Sequence, residues 1–378
     1  MGRNLTRAGG VVAAVAALAV IVVAVGCGSS ADDDATLTVY VSAPLQGPRA
    51  DAGHDVADGA RLALADADGK AGGVAIDLEV LSDATGGGWD AAATGANARA
   101  ATEDTTTIAY VGELDSGASR TSIPITNRAG ILQVSPGAGA ADLTSDSPAS
   151  GDAPAVQESG HRTFGRVIPS DRDQGEAAGV WMADSGISSV LVDSDGSAYA
   201  DSLVDGLDAA PSPPEVVTGR DPADAVYIAA EGPVRPAGAG TGDRGILGSD
   251  AQLDDPRALG SNSTPVRLTS AALDPTQLPP AADDFLAAFE AAYDRAPGRY
   301  AAYGYEAMAV VLDSVGRADD PTDRGDVVDA FFDTSDRESI LGTYSIDDVG
   351  DTTLRRLGAY RIDGRGRALP EREALTIP

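Results

Sequence analysis

The 378 residues carry 27 lysines and arginines against 58 aspartates and glutamates, a net charge of −31. Such a chain repels a phosphate backbone and an anionic lipid face alike, which argues against nucleic acid as a partner. The length suffices for two domains of roughly 100 to 200 residues; the aliphatic content is that of a folded protein, and the dominance of Ala, Gly, Asp and Arg, with Lys70 the only lysine, reads as compositional bias.

In chain order, Arg3 and Arg7 precede an apolar run at 11–25. That run is short for a membrane-spanning helix of ~20 residues and has the basic, apolar, small-residue order of a secretory signal. It ends in Ala24-Val25-Gly26-Cys27, and small residues before the chain's one cysteine resemble a bacterial lipobox. The expectation is therefore a signal peptide over 1–26, lipidation at Cys27 and an acidic tether over 27–35, outside the cytoplasm. A lone cysteine leaves no intrachain disulfide.

From 37 the pattern alternates. Strands are predicted at 37–42 (LTVYVS), 75–81, 108–111 and 131–134, with helices from 56, over 91–101 and over 119–129. This β-α-β-α-β-α-β run argues a parallel, doubly wound sheet. Two of its loops are polar and glycine-rich: 112–119 leads into a helix N-terminus, whose exposed N–H groups favour an anion, and Ser135-Pro136-Gly137-Ala138-Gly139 follows the next strand at once. In a parallel sheet both loops would lie at the carboxyl edge, where open α/β sheets bind ligands.

The segment 146–161 is polar and aperiodic, an exit from the first lobe, and alternation restarts with strands at 163–168 and 189–192 and helices at 174–183 and 198–207. The second lobe then thins: about six residues separate strands at 215–218 and 225–229, and the Pro- and Gly-rich stretch 231–244 reaches strand 245–247 with no helical pattern. A parallel crossover ordinarily needs a dozen residues or more, so one or two cover helices are missing. A strand at 265–269, helices at 280–292, 300–315 and 327–332, and strands at 339–346 and 357–362 complete the chain. The expected division is 36–160 plus 270–332 for the first lobe and 161–269 plus 333–378 for the second.

Catalytic chemistry has few candidates. There is no G-x-S-x-G, and His54 and His161 sit in polar loops. One cysteine and two distant histidines cannot make a zinc site of the usual spacing. Gly240 to Gly245 matches G-x-G-x-x-G but precedes a strand, the reverse of the dinucleotide fingerprint, and the pattern begun by Gly137 and Gly139 meets Asp142 at its third position. The Asp-rich turns at 193–196 and 66–69 lack the remaining ligands of a calcium loop. No enzyme, cofactor or metal is expected.

The order of loops resembles the branched-chain amino acid type of extracytoplasmic solute-binding protein, the type I two-lobed proteins that serve ABC importers. The matching pieces are APLQGPRADAGHDVADGARLAL (43–64), VGELDSGASRTSIPITNRAGILQVSPGAGAADLT (111–144), TFGRVIPSDRDQGEAAG (163–179), SAYADSL (197–203), ILGSD (246–250), YAAYGYEAMAVVLDSV (300–315) and SILGTYSIDDVGD (339–351), which span nearly all of the mature chain. The resemblance implies two Rossmann-like α/β lobes joined by hinge crossovers, with the second lobe abbreviated here. It implies a small polar solute, an ABC permease as partner and a lipid anchor in the membrane. It also implies that the loops at Ser116-Gly117-Ala118 and at Pro136, Gly137 and Gly139 hold a ligand carboxylate, that Tyr199 covers the ligand, and that Asp250 holds an ammonium group.

Each residue has a plainer reading. Ser116 suits an N-cap, Tyr199 a packing position at a helix start, and Asp250 an exposed turn. The chain departs from the family in having Gly139 where a Thr is usual, Ala52 where an aromatic is frequent, and Ala230-Glu231-Gly232 in place of a Gly-Gly-aromatic run. Glu231 beside Asp250 would suit a cationic or amine-bearing ligand. The alternative function is a sensing or protein-interaction module that kept the lobes and lost transport, with the uncovered second sheet as its contact face.

Overall fold

The computed structural model describes residues 36–144, 160–218, 222–232, 244–253, 256–259 and 265–378. The expected signal segment, Cys27 and the tether lie outside them, as does most of the Gly240–Gly245 pattern. No helix among the described residues is long and apolar enough to cross a membrane.

The chain begins with β1 (Thr36–Ala43), α1 (Ala50–Asp66), β2 (Lys70–Ala71) and β3 (Val74–Ser82). A small hairpin, β4 (Ala84–Thr85) with β5 (Gly88–Trp89), precedes α2 (Ala91–Glu103), β6 (Thr107–Val111), α3 (Ser116–Arg128), β7 (Leu132–Ser135) and β8 (Phe164–Arg166). The first sheet has the order β2-β3-β1-β6-β7-β8 and is parallel except at its β2 edge. Its central strands are buried on both faces, as parallel strands covered on two sides are: all five residues of β6 and all four of β7 are buried, with Gln133 and Ser135 of β7 hydrogen-bonded there.

The second part continues with α4 (Asp171–Asp184), β9 (Ser189–Ser194), α5 (Ala198–Ala209), β10 (Glu215–Val217), β11 (Ala225–Ala229), β12 (Ile246–Gly248) and β13 (Val266–Ser270). Three helices follow, α6 (Asp283–Tyr293), α7 (Ala301–Arg317) and α8 (Arg324–Phe332), then the hairpin β14 (Arg337–Ser339) and β15 (Gly342–Tyr344) and the strands β16 (Arg356–Ile362), β17 (Ala368–Pro370) and β18 (Leu375–Thr376). The second sheet runs β10-β9-β11-β12-β13-β16-β17, parallel as far as β13 and antiparallel beyond it, with β18 also on β16.

Period-two alternation along β11 divides this sheet's faces. Ala225, Tyr227 and Ala229 pack with Met182, Leu203 and Leu207 of α4 and α5, whereas Val226 and Ile228 pack with Ile246, Leu268, Leu259 and Tyr360. Among the described residues no α-helix separates β10 from β11, β11 from β12 or β12 from β13. The short β10–β11 connection is accommodated because the two strands flank β9, each pairing with it in parallel. The face without described helices is nevertheless buried, and the exposed large hydrophobic side chains among the described residues are Trp89 and Val216.

Two segments lie elsewhere than expected. The strand predicted at 163–168 to open the second lobe is the last strand of the first sheet, with Gln133 opposite Phe164 in parallel register. The segment predicted as a terminal strand of the second lobe at 339–346 is instead the β14–β15 hairpin and its exit, and Leu341, Tyr344, Ile346 and Leu354 sit in the core that α1, α6, α7 and α8 form on the first sheet. Strand pairing is non-local, so the chain's order alone put both pieces with the wrong neighbour. The chain thus passes between the sheets three times, near 167–170, 271–282 and 345–355.

Candidate ligand cleft

Because β6 and β7 are adjacent and parallel, the loops at their carboxyl ends are neighbours, and hydroxyls stitch them together. Ser135 Oγ donates to the Glu113 carbonyl at 2.7 Å and accepts from the N–H groups of Gly137 and Ala138 at 3.2 and 2.8 Å. Ser116 Oγ accepts from the Ala140 N–H at 3.1 Å across the gap. Asp115 occupies the N-cap position of α3 without a side-chain capping bond, so Ser116 joins loop to loop and does not cap. Gly137 is required by this contact: a Cβ there would lie 2.4 Å from Leu114 Cδ1 and 2.8 Å from the Leu114 carbonyl.

The second sheet contributes the facing wall, again from loops beyond strand carboxyl ends. Tyr199 stands in the first turn of α5, Glu231 follows β11 and Asp250 follows β12. Tyr199 Oη donates to Asp250 Oδ1 at 2.7 Å, and Gln174 Nε2 reaches the same oxygen at 3.2 Å. Burial, then the Asp250 charge, pushes the Tyr199 hydroxyl well above its ordinary value, so it remains a donor. The Glu231 N–H donates to Asp195 Oδ2 at 2.9 Å; Asp195 Oδ1 also accepts from the N–H and hydroxyl of Ser197, the N-cap of α5, which makes 193–196 a structural turn.

Asp171, the first residue of α4, enters the cleft from the junction of the two walls. It was not among the residues singled out from sequence, although it stands in the TFGRVIPSDRDQGEAAG stretch. Its N–H donates to the Gly139 carbonyl at 2.8 Å, and a Cβ on Gly139 would lie 2.2 Å from Asp171 Oδ1. The glycine at 139 thus makes room for a carboxylate. Burial, and next the charge of Asp250, raises Asp171 to about 7 against the opposing pull of Arg166 and Arg120.

Together these residues line a cavity of about 530 Å³ whose other walls include Trp89, Arg49, Arg120, Asp142, Arg299 and Tyr300. Arg49 pairs with Asp115 and stands 5.6 Å from the Tyr300 ring centre, as Arg299 does. Arg120 binds Asp142 through two 2.7 Å bonds. Of the sequence candidates, Ser116, Gly117, Gly137, Gly139, Tyr199, Glu231 and Asp250 line this cavity. Ala118 and Pro136 do not; both are buried behind it. Ala52 packs against the first lobe's core, and the aromatics that join Tyr199 in the cleft are Trp89 and Tyr300. Trp89 follows three glycines in a turn, a context that hid it in the sequence.

Beneath the first loop, Asp83 and Glu113 are fully buried and close enough to interact. Tyr110 Oη donates to Glu113 Oε1 at 2.6 Å. Burial raises Glu113, with the Asp83 charge adding to it, and burial likewise raises Asp83 to about 6. Behind the second loop, the fully buried Arg166 donates to the carbonyls of Ala138 and Ala140 at 3.1 and 2.8 Å, to Thr144 Oγ1 at 3.0 Å and to Asp351 Oδ1 at 2.7 Å. No group of His, Cys, Asp and Glu among the described residues could hold a metal ion.

Two α/β lobes with largely parallel sheets, connected by three passages, with a cleft at the carboxyl ends of the parallel strands, define the type I binding-protein fold. The comparisons agree. The structure is similar to a leucine-binding protein LivK from Thermotoga maritima, with a TM-score of 0.68 and 20% identity over 90% of this chain and 99% of that one. It is similar to the branched-chain amino acid substrate-binding protein LivJ from Streptococcus pneumoniae in complex with isoleucine, at 0.66 and 19% over 90% and 99%. It is also similar to a solute-binding protein from Rhodopseudomonas palustris in complex with 3,4-dihydroxybenzoic acid, at 0.64 and 17% over 91% and 99%. No family model and no curated protein sequence matches the chain.

Proposed function

We propose that this chain is the substrate-binding component of an ABC importer, a lipoprotein held at the outer face of the membrane through Cys27, which captures a small polar solute and hands it to a permease. The observation that carries this reading is the cleft's asymmetry. The first lobe offers backbone donors of a helix start and a hydroxyl, suited to a carboxylate, and the second offers Asp250 and Tyr199 with Asp171 at the junction, suited to an ammonium group. Closure on such a zwitterion would be a hinge motion, stabilised by contacts that both lobes make together. Neighbours of the same fold that bind leucine, isoleucine or a dihydroxybenzoate support a small-molecule ligand. The interaction-module alternative called for an exposed apolar sheet face, and the residues of that face are buried.

The test is a thermal-shift screen of the mature chain against amino acids, amides, polyamines and aromatic acids, since a ligand that binds the folded state alone raises stability by mass action. A hit is expected to weaken by about 1–3 kcal/mol in Ser116→Ala and in Asp250→Ala, the scale of leaving a charged partner without its hydrogen bond. A ligand whose affinity survives both substitutions binds elsewhere.

A further inference from the structure

Trp89 is the conspicuous side chain of the cleft. It ends the β4–β5 hairpin, where Ala84 pairs with it, and at 41% exposure it is one of two exposed large hydrophobics among the described residues. Its ring is held on one side by the start of α3: a Cβ at Gly117 would lie 2.4 Å from Trp89 Cζ2. The rest of the indole borders the cavity.

The cavity lining as a whole carries an excess of negative charge, five carboxylates against three arginines, Arg49, Arg120 and Arg299. Of the five carboxylates that line the cavity, Asp115 and Asp142 are paired with Arg49 and Arg120. Asp171, Glu231 and Asp250 form no ion pair with a described residue. Asp171 is 7% exposed, and its carboxylate accepts no side-chain bond from a described residue. One ammonium group would leave part of this negative charge unanswered. An indole face is the best of the aromatic surfaces for a cation, and it costs little to immobilise when it is already packed.

We propose that Trp89 sets the selectivity of the cleft by laying its indole against the cationic side chain of a basic amino acid. This rests on the solute-receptor reading and adds the ligand class to it. The guanidinium of L-arginine, flat and weakly hydrated, suits an indole face better than the compact ammonium of L-lysine.

Calorimetric titration of the mature chain with L-arginine, L-lysine, L-leucine and benzoate tests it, with Trp181→Phe as the background so that Trp89 is the one fluorophore of its kind. Arginine is expected to bind tightest and to change Trp89 emission. Trp89→Ala should lose about tenfold or more in arginine affinity, the scale of a partly desolvated cation–aromatic contact, and Trp89→Phe should recover most of that loss. Equal arginine affinity in Trp89→Ala and its parent overturns the role of Trp89 while leaving a receptor in place. Preference for leucine or benzoate overturns the cationic class alone. Failure of the parent to bind any of the four overturns the inference, and failure of the wider screen would remove the receptor reading beneath it.

Discussion

At Asp171 a single carboxyl links sequence, packing and pH. It occupies space that any side chain at 139 would fill, and burial has raised it from 3.8 to about 7. Within the fold a raised carboxyl contributes stability that is complete below its ordinary value and is lost as pH rises through about 7. A ligand cation beside it reverses the preference, because it favours the ionised form. Binding of a cationic ligand at pH 6 to 7 should therefore release a proton, and affinity should rise with pH through that window. Calorimetry in buffers of different ionisation enthalpy would read the proton directly, and Asp171→Asn should abolish both effects; a pH-independent affinity in the unaltered protein would remove Asp171 from the ligand's surroundings. Much of the cleft was legible residue by residue, since the loops at 116–118 and 136–139 follow predicted strands. Asp171 and Trp89 were not, because an aspartate at a helix start reads as a cap and a tryptophan after glycines as a turn. Only the fold brings them to the cavity.

At the scale of elements, the helix pairs are set by glycines that let backbones touch. A Cβ on Gly59 of α1 would lie 2.1 Å from the Ala301 carbonyl, and one on Gly304 of α7 would lie 2.4 Å from that of Val56. The pair α4 and α5 repeats the device: a Cβ on Gly175 would lie 2.0 Å from the Leu203 carbonyl and one on Gly206 1.9 Å from that of Arg172. Overpacking where the obstacle is backbone forces the helices apart, at a cost of roughly 1–3 kcal/mol or more. Gly304→Ala should accordingly lower the melting temperature by several degrees although alanine is the better helix former; an unchanged or raised midpoint would mean the helices separate freely. A glycine inside a helical pattern costs about 1 kcal/mol against alanine, and only the packing shows what these glycines are for. The longer elements were legible from their apolar periodicity, although α1 begins six residues before the expected 56, whereas the short strands β2, β4, β5, β17 and β18 were not, nor were the sheet partner of β8 and the place of the β14–β15 hairpin, since these depend on pairing between segments.

For the whole molecule, the three passages between the sheets bring remote segments to the cleft's back wall. Arg166 stands at the first of them, and its ion pair with Asp351 reaches the third. Asp351→Ala would leave a fully buried guanidinium with three of its four acceptors. It should weaken ligand binding by about two- to tenfold and lower the melting temperature, with no contact to the ligand removed. Loss of stability with unchanged affinity would confine the pair to a structural role.

That one cation also says something about how such a receptor can vary over time. The loop proposed to grip solute and the segment that returns from the helical layer share a common anchor in Arg166, so neither can drift independently. On the proposed reading, a descendant that acquires a new solute has latitude at Trp89, and little at Ala138 to Ala140, whose carbonyls share Arg166 with Asp351, more than two hundred residues downstream.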